Sequence, residues 1–172
     1  MCDKYKGDFH SDAAYGQIIT QAKAAATDPG LATKLMNTYK TILGTNSNIK
    51  LVVINYPYLV KNVHQRIAGA DLWGWQDDLY AIQSDLNNSI SHAISLTKSA
   101  YPQYADRIFF VSATAPGCPF DGHDLGANVS YFNNIVLPPK IDASLHPKQT
   151  GANAYASVVE SFIKANAAAL VK

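Results

Sequence analysis

The sequence predicts an α/β protein built around a parallel sheet. Two short apolar runs, at residues 50–55 and 107–111, have the length and the polar bounds of buried strands. A long irregular segment and then a segment of helical periodicity follow each run. This repeated order of strand, loop and helix is typical of parallel strands that are joined by right-handed crossovers.

Two helices are predicted ahead of the first strand. The first spans residues 12–26, where apolar side chains recur at helical spacing. The second begins at Asp28-Pro29, an N-cap followed by a proline at the first helical position, and it ends at Gly44. Its predicted buried face consists of Leu31, Leu35, Tyr39 and Ile42.

The remaining elements alternate with long loops. Residues 56–74 are irregular, a helix runs from Gln76 to just before Pro102, and residues 112–145 are again irregular. A last helix is predicted to open at Pro147. Both long loops leave the carboxyl ends of the predicted strands, and ligands bind at that edge of a parallel sheet. The sequence therefore predicts a functional site there.

Length and charge narrow the class of protein. The 172 residues fit a single domain, residues 1–172, that is large enough to bury its own core. The 14 basic and 13 acidic side chains form no run of one sign, which argues against a nucleic-acid partner. No apolar stretch approaches the ~18 residues that a transmembrane segment needs. No metal-ligand spacing or phosphate-binding loop is present, so we expect a small neutral substrate and neither metal nor cofactor.

Cysteine usage leaves two alternatives open. Cys2 and Cys118 lie far apart and form no CxxC unit, so nothing supports a zinc ribbon or a thioredoxin-like redox site. They either form one disulfide, which requires an oxidising compartment, or have other partners. The charged fraction of 16%, beside abundant Tyr, Asn, Ser and Thr, favours a secreted, extracellular protein.

One histidine occupies a position suited to proton transfer. His146 closes the second long loop directly before Pro147, so the following helix can fix the backbone that presents its imidazole over the strand ends. An imidazole can take a proton from a hydroxyl nucleophile and return it to a leaving group. Asp142 is the local carboxylate that can hold the ring in the required tautomer. On spacing alone, a surface or structural role for this histidine remains an alternative.

The segment from Asp142 to Tyr155 resembles the final motif of the SGNH hydrolases, also called GDSL esterases and lipases. In that motif Asp-x-x-His-Pro precedes a glycine and a helix, and His146-Pro147 and Gly151 match it. Residues 51–57 and 122–125 are similar to stretches of the actinobacterial-type extracellular lipases. The resemblance covers residues 30–165.

The resemblance implies a three-layer flavodoxin-like SGNH fold and hydrolysis of carboxylic or lipid esters, with His146 as the general base. Asp142 lies one position further from His146 than the family's acid, and some relatives orient the histidine with a backbone carbonyl instead. Tyr56 and Tyr58, with Trp73 and Trp75, are candidates for lining an acyl pocket; the alternative is that they pack their loop against the rest of the domain. His123 is a candidate for placing a second imidazole near the pocket, with a structural role as the alternative.

The Gly-Asp-Ser motif and the Gly-x-Asn-Asp motif of the family do not occur in this sequence. By the resemblance they belong upstream, together with three of the five strands of the sheet. The chain is thus expected to be N-terminally incomplete, to need the N-terminal remainder of the same domain as its partner, and to be inactive alone.

Two alternatives compete with this interpretation. Ser112 follows the second predicted strand, but no glycine flanks it and no nucleophile motif surrounds it, so a polar strand terminus is the expected role. The second alternative is a non-catalytic, degenerate SGNH-like module that binds carbohydrate or lipid and in which His146 has no catalytic task.

Overall fold

The computed structural model describes residues 13–27, 29–64, 66–67, 70–71, 73–134 and 145–171. The helices in these ranges are α1 (Ala13–Thr27), α2 (Pro29–Thr45), α3 (Trp73–Ala100), α4 (Gln149–Ala165) and α5 (Ala167–Leu170). The strands are β1 (Leu51–Ile54), β2 (Arg66–Ile67), β3 (Ala70–Asp71) and β4 (Ile108–Val111), and a short 3-10 helix covers Pro102–Tyr104.

The two predicted strands form a parallel pair. Leu51 of β1 lies opposite Ile108 of β4, and Ile54 lies opposite Val111. The prediction of a parallel sheet in a mixed helix and strand protein is therefore confirmed. The carboxyl ends of both strands lie at the same edge, so the long loops that follow them start side by side.

One face of the strand pair packs against α2 and α3. Ile108 is fully buried in a cluster with Leu43 of α2 and Ala93 of α3, and Leu51 and Val53 contact the same cluster. The apolar side chains of α2 recur at helical spacing, which places them on the face toward the sheet. Leu43 rather than the predicted Ile42 is buried there, and Ile42 is 37% exposed.

The opposite face contacts α4. Because successive side chains of a strand point to opposite faces, Phe109 faces away from Ile108. Its ring meets that of Phe162 in α4 at a centroid distance of 5.9 Å. Ile54 joins a second cluster here, which contains Phe132, Phe120 and Ala154 of α4. Helices thus cover both faces of the β1–β4 pair.

Arg107 fixes the start of β4 against the end of α2. Its guanidinium donates hydrogen bonds to the carbonyl oxygens of Leu43, Asn46 and Ile49. The last carbonyls of a helix have no hydrogen-bond partner within the helix and carry partial negative charge. A guanidinium at this position supplies both hydrogen-bond donors and a compensating positive charge.

Three predicted boundaries are wrong. The last helix begins at Gln149, because Lys148 at its N-cap is extended and Pro147 instead bridges to Phe132. The third helix begins at Trp73, three residues before the predicted Gln76. The loop predicted over residues 56–74 contains the β2–β3 hairpin, whose two-residue strands are too short for a periodicity to show.

Candidate active site

Asn55 joins the carboxyl ends of β1 and β4. Its side-chain oxygen accepts the N–H of Ala113 at 2.6 Å, and its amide nitrogen donates to the hydroxyl of Thr114 at 3.1 Å. The side chain is buried, at 4% exposure. Because a buried amide must satisfy both its donor and its acceptor, this arrangement fixes the two loop origins relative to each other.

Two buried amides of α3 hold the loop that follows β1. Asn87 accepts the N–H of Tyr56 at 3.0 Å and donates to the carbonyl of the same residue at 2.8 Å. One turn earlier, Gln83 accepts the N–H of Leu59 at 2.5 Å and donates to the carbonyl of Leu79 at 3.0 Å. Beyond the end of β1 these side chains supply the hydrogen bonds that a neighbouring strand would otherwise make to the backbone. The loop therefore follows a defined path along α3.

His146 lies on a short antiparallel ribbon formed by residues 131–133 and 145–148. The N–H of Asn133 donates to the His146 carbonyl at 2.9 Å, the N–H of Leu145 donates to the Asn133 carbonyl at 3.2 Å, and the N–H of Lys148 donates to the Tyr131 carbonyl at 2.8 Å. Leu145 has a φ of 63°, which is rare for a branched side chain and persists only where the surroundings impose it. The ribbon therefore fixes the backbone of His146.

Gly151 lets α4 pack closely on this ribbon. A Cβ atom at this position would lie 2.7 Å from the Tyr131 carbonyl oxygen and 3.0 Å from the Cβ of Pro147. Only glycine fits without a shift of backbone. The first turn of α4 thus rests directly on the strand of the ribbon that opposes His146.

The loop after β1 and the ribbon enclose a groove of about 340 Å³. This volume lies within the ~300–1,000 Å³ of small-molecule sites. His146 and Tyr56 are exposed at its rim, whereas Phe132 and Gln83 are buried and form its floor. The remaining lining residues are mostly apolar: Pro57, Leu59, Leu86, Leu145, Pro147 and Tyr155.

Tyr155 contributes a neutral phenol to the wall of the groove. Its ring packs edge-on against Phe120 at a centroid distance of 4.7 Å. Burial raises the pKa of Tyr155 to about 12, and the phenol of Tyr56 adds to the rise. At neutral pH the hydroxyl of Tyr155 therefore keeps its proton and can donate a hydrogen bond.

The structure brings together some of the predicted site residues and separates others. His146 and Tyr56 line the same groove. Tyr58 lines a separate cavity of about 50 Å³ and packs on Tyr80 at a centroid distance of 4.9 Å. His123 lines neither space and stacks on Tyr131. Asp142 lies outside the described residues, so its assignment stays a prediction.

The imidazole of His146 is solvent-exposed and lies at the rim. Among the described ranges, no residue forms a hydrogen bond with this ring. The hydroxyl oxygen of Ser112 accepts a hydrogen bond from the N–H of Thr114 at 3.2 Å and lies 3.2 Å from the hydroxyl of the same residue. Such local bonds are expected of a polar strand terminus.

The sulfur of Cys118 lies 3.1 Å from the carbonyl oxygen of Ala113 and is half-buried. Cys2 lies outside the described residues, so a disulfide between the two remains a prediction. Within the described part of the chain, no three His, Cys, Asp or Glu side chains are grouped to bind a metal ion. No helix in that part is long and apolar enough to span a bilayer.

The amides that shape the site were not foreseen. Gln83 and Asn87 are buried in the helix that the sequence predicts from Gln76 onward, and neither was assigned a role from the sequence. A signal was nevertheless present, because Gln76, Gln83 and Asn87 share the helical phase of Ile90, Ile94 and Thr97, which are buried further along α3. Amides that recur in phase with a buried face indicate polar contacts to a neighbouring loop.

Similar folds occur among solved structures. The extracellular lipase from Streptomyces rimosus aligns with 92% of this chain, with a TM-score of 0.57 and 19% sequence identity. This chain shares the fold of that lipase. Phospholipase A1 from Streptomyces albidoflavus NA297 aligns with 88% of the chain, with a TM-score of 0.57 and 20% identity. The structural similarity confirms the resemblance to extracellular lipases that the motifs indicate.

The chain spans about three fifths of the length of these neighbours, 59% of the lipase and 58% of the phospholipase. No protein-family profile matches the sequence, and no curated protein matches it. The similarity to the lipase fold therefore rests on the course of the backbone.

Proposed function

We propose that this chain supplies the catalytic histidine of a secreted lipid ester hydrolase of SGNH type. The observation that carries the proposal is the position of His146, exposed at the rim of an apolar groove beside the carboxyl end of β1. In parallel α/β sheets this edge holds the ligand. An imidazole there can relay the proton between a serine hydroxyl and the leaving group of an ester. The similarity in fold to Streptomyces lipases supports this chemistry.

The groove suits the acyl part of the substrate. The amide of Gln83 on its floor already accepts from Leu59 and donates to Leu79, so its oxygen and one of its two N–H groups are engaged. Phe132 completes the floor with an apolar ring. A chain of methylene groups is stabilised on such a surface by about 0.8 kcal/mol for each buried CH₂, whereas a sugar would leave most of its hydroxyls unpaired.

The serine and the oxyanion donors would come from polypeptide outside this sequence, in a three-layer fold whose sheet continues beyond β1. Leu51 and Asn55 donate their N–H groups to β4. In a parallel strand the intervening residues face the other way, so the amides of Val52 and Ile54 are directed to the opposite edge. A further parallel strand can pair there.

Ester hydrolysis by a chimera tests the proposal. The chimera joins an upstream segment that contains Gly-Asp-Ser and Gly-x-Asn-Asp motifs to this chain, and p-nitrophenyl decanoate is the substrate. The 172 residues alone should not exceed the background rate, whereas the chimera should hydrolyse the ester. His146→Ala should lower kcat of the chimera by about 10³-fold or more. The matched control is His92→Ala, which removes an exposed histidine of α3.

The alternatives give different results. A chimera whose hydrolysis is indifferent to His146→Ala would refute the catalytic role. Hydrolysis by the 172 residues alone would refute the need for an external serine. Binding of decanoate without hydrolysis in any form of the protein would favour the non-catalytic lipid-binding module.

A further inference from the structure

Residues 122–125 connect the two walls of the groove. On one side, the N–H of Leu125 donates to the carbonyl of Leu59 at 2.8 Å. The adjacent Asp124 is 3% exposed and forms an ion pair with Lys61 at 3.7 Å. Both contacts reach the loop after β1, and Leu59 itself lines the groove.

On the other side, the same segment contacts the ribbon. The N–H of Tyr131 donates to the carbonyl of His123 at 3.0 Å. The two rings stack in parallel, with centroids 3.8 Å apart and an interplanar angle of 2°. The Nδ1–H of His123 donates to the carbonyl of Val129 at 2.8 Å, which fixes the ring over Tyr131.

Tyr131 passes this constraint on to His146. Its carbonyl accepts the N–H of Lys148 and lies against Gly151, so its backbone position sets the position of the opposing strand of the ribbon. His123 therefore reaches His146 through backbone contacts. It lies outside the groove and touches none of the space a ligand would occupy.

We propose that His123 is a positioning residue that holds the His146 ribbon in place through its stack on Tyr131, and that residues 122–125 keep the two groove walls in register. The inference rests on the proposed function only in that it takes His146 to be the catalytic histidine. The contacts themselves are independent of ester cleavage. Without the stack, the ribbon would open more often while the β1–β4 pair stayed closed.

Amide hydrogen exchange of the 172-residue chain, followed by NMR, tests this. His123→Ala should accelerate exchange at Asn133, Leu145 and Lys148 by roughly threefold to tenfold, the range expected for loss of an aromatic pair. His123→Phe, which retains a flat ring on Tyr131, should restore most of the protection. His92→Ala should change nothing, and the amides of Leu51 and Asn55 report whether the core is unaffected.

Binding of decanoate to the same variants should weaken in parallel with the loss of protection. Less than twofold acceleration in His123→Ala would overturn the proposal, as would equal acceleration at Leu51 and Asn55, or failure of His123→Phe to restore protection. If His123→Ala does not fold, His123→Leu against His123→Phe decides the same question, because leucine fills space without a flat ring. If the chimera is inactive but the variants show the expected exchange pattern, only the proposed function is refuted.

Discussion

Replacement of Gly151 by alanine tests how closely α4 rests on the His146 ribbon. The added Cβ would lie 2.7 Å from the carbonyl oxygen of Tyr131 and 3.0 Å from the Cβ of Pro147. The first neighbour is backbone, so it cannot turn away as a flexible side chain would. Either α4 or the 131–133 strand must shift, and the shift acts directly beside His146.

The expected cost follows from two opposing effects. Overpacking of a close contact costs about 1–3 kcal/mol. Alanine in a helix is more favourable than glycine by about 0.5–1 kcal/mol, but Gly151 lies in the first turn of α4, where less of this gain is realised. We therefore expect Gly151→Ala to lower the free energy of unfolding by about 1–2 kcal/mol, which lowers Tm by about 2–8 °C.

Gly16→Ala is the matched control. This glycine also lies in a helix, α1, and a Cβ there would have no neighbour within 4 Å. Because Gly16 is also in the first turn of its helix, its replacement should raise the free energy of unfolding by at most about 0.5–1 kcal/mol. Urea unfolding and thermal melting of both variants measure the difference. A Gly151→Ala protein as stable as the parent, or stabilised like Gly16→Ala, would refute the close approach of α4 to the ribbon.

Two further predictions concern the groove. Asn87→Ala removes both hydrogen bonds to the backbone of Tyr56 and should lower the free energy of unfolding by about 2 kcal/mol. Asn88→Ala, at the exposed neighbouring position, should change it by less than about 0.5 kcal/mol. Equal effects of the two substitutions in urea unfolding would contradict the role of Asn87 in holding the loop. The pKa of Tyr155 is raised from 10.0 to about 12, so the unfolded chain loses this proton first as pH rises, and stability declines between those values. Because the ring is only partly buried, we expect Tyr155 to account for a loss of about 1–2 kcal/mol in the free energy of unfolding over this pH range. Tyr155→Phe should lack this loss. Identical alkaline unfolding of the two proteins would count against a buried phenol.

The strands and helices could be predicted because their signals are local. The run at residues 107–111 is apolar and short, and it forms β4 as expected. The buried face of α2 was predicted with Ile42 in place of Leu43, because both residues are apolar and only a rotation of about 100° about the helix axis separates them. Packing against Ile108 selected Leu43, and no local pattern could have made that choice.

The site was predictable to a lesser degree. A histidine followed by proline at the end of a long loop indicated the place of His146, and the structure places this residue at the rim of a groove with Tyr56. His123 and Tyr58 could not be placed, because neither sits in a periodic element. Their positions depend on the partners they stack with, Tyr131 and Tyr80.

By itself, the sequence determined the order of elements and the candidate histidine, since both depend on neighbours within a few residues along the chain. The parallel pairing of β1 with β4 could be predicted from that order of elements. Only the tertiary structure decided which polar groups shape the groove. Asn55, Gln83 and Asn87 each form a hydrogen bond with a backbone group that lies 24 to 58 residues away along the chain. Such pairings are fixed by the need to leave no buried donor or acceptor without a partner, and that need is met only once the distant segments meet.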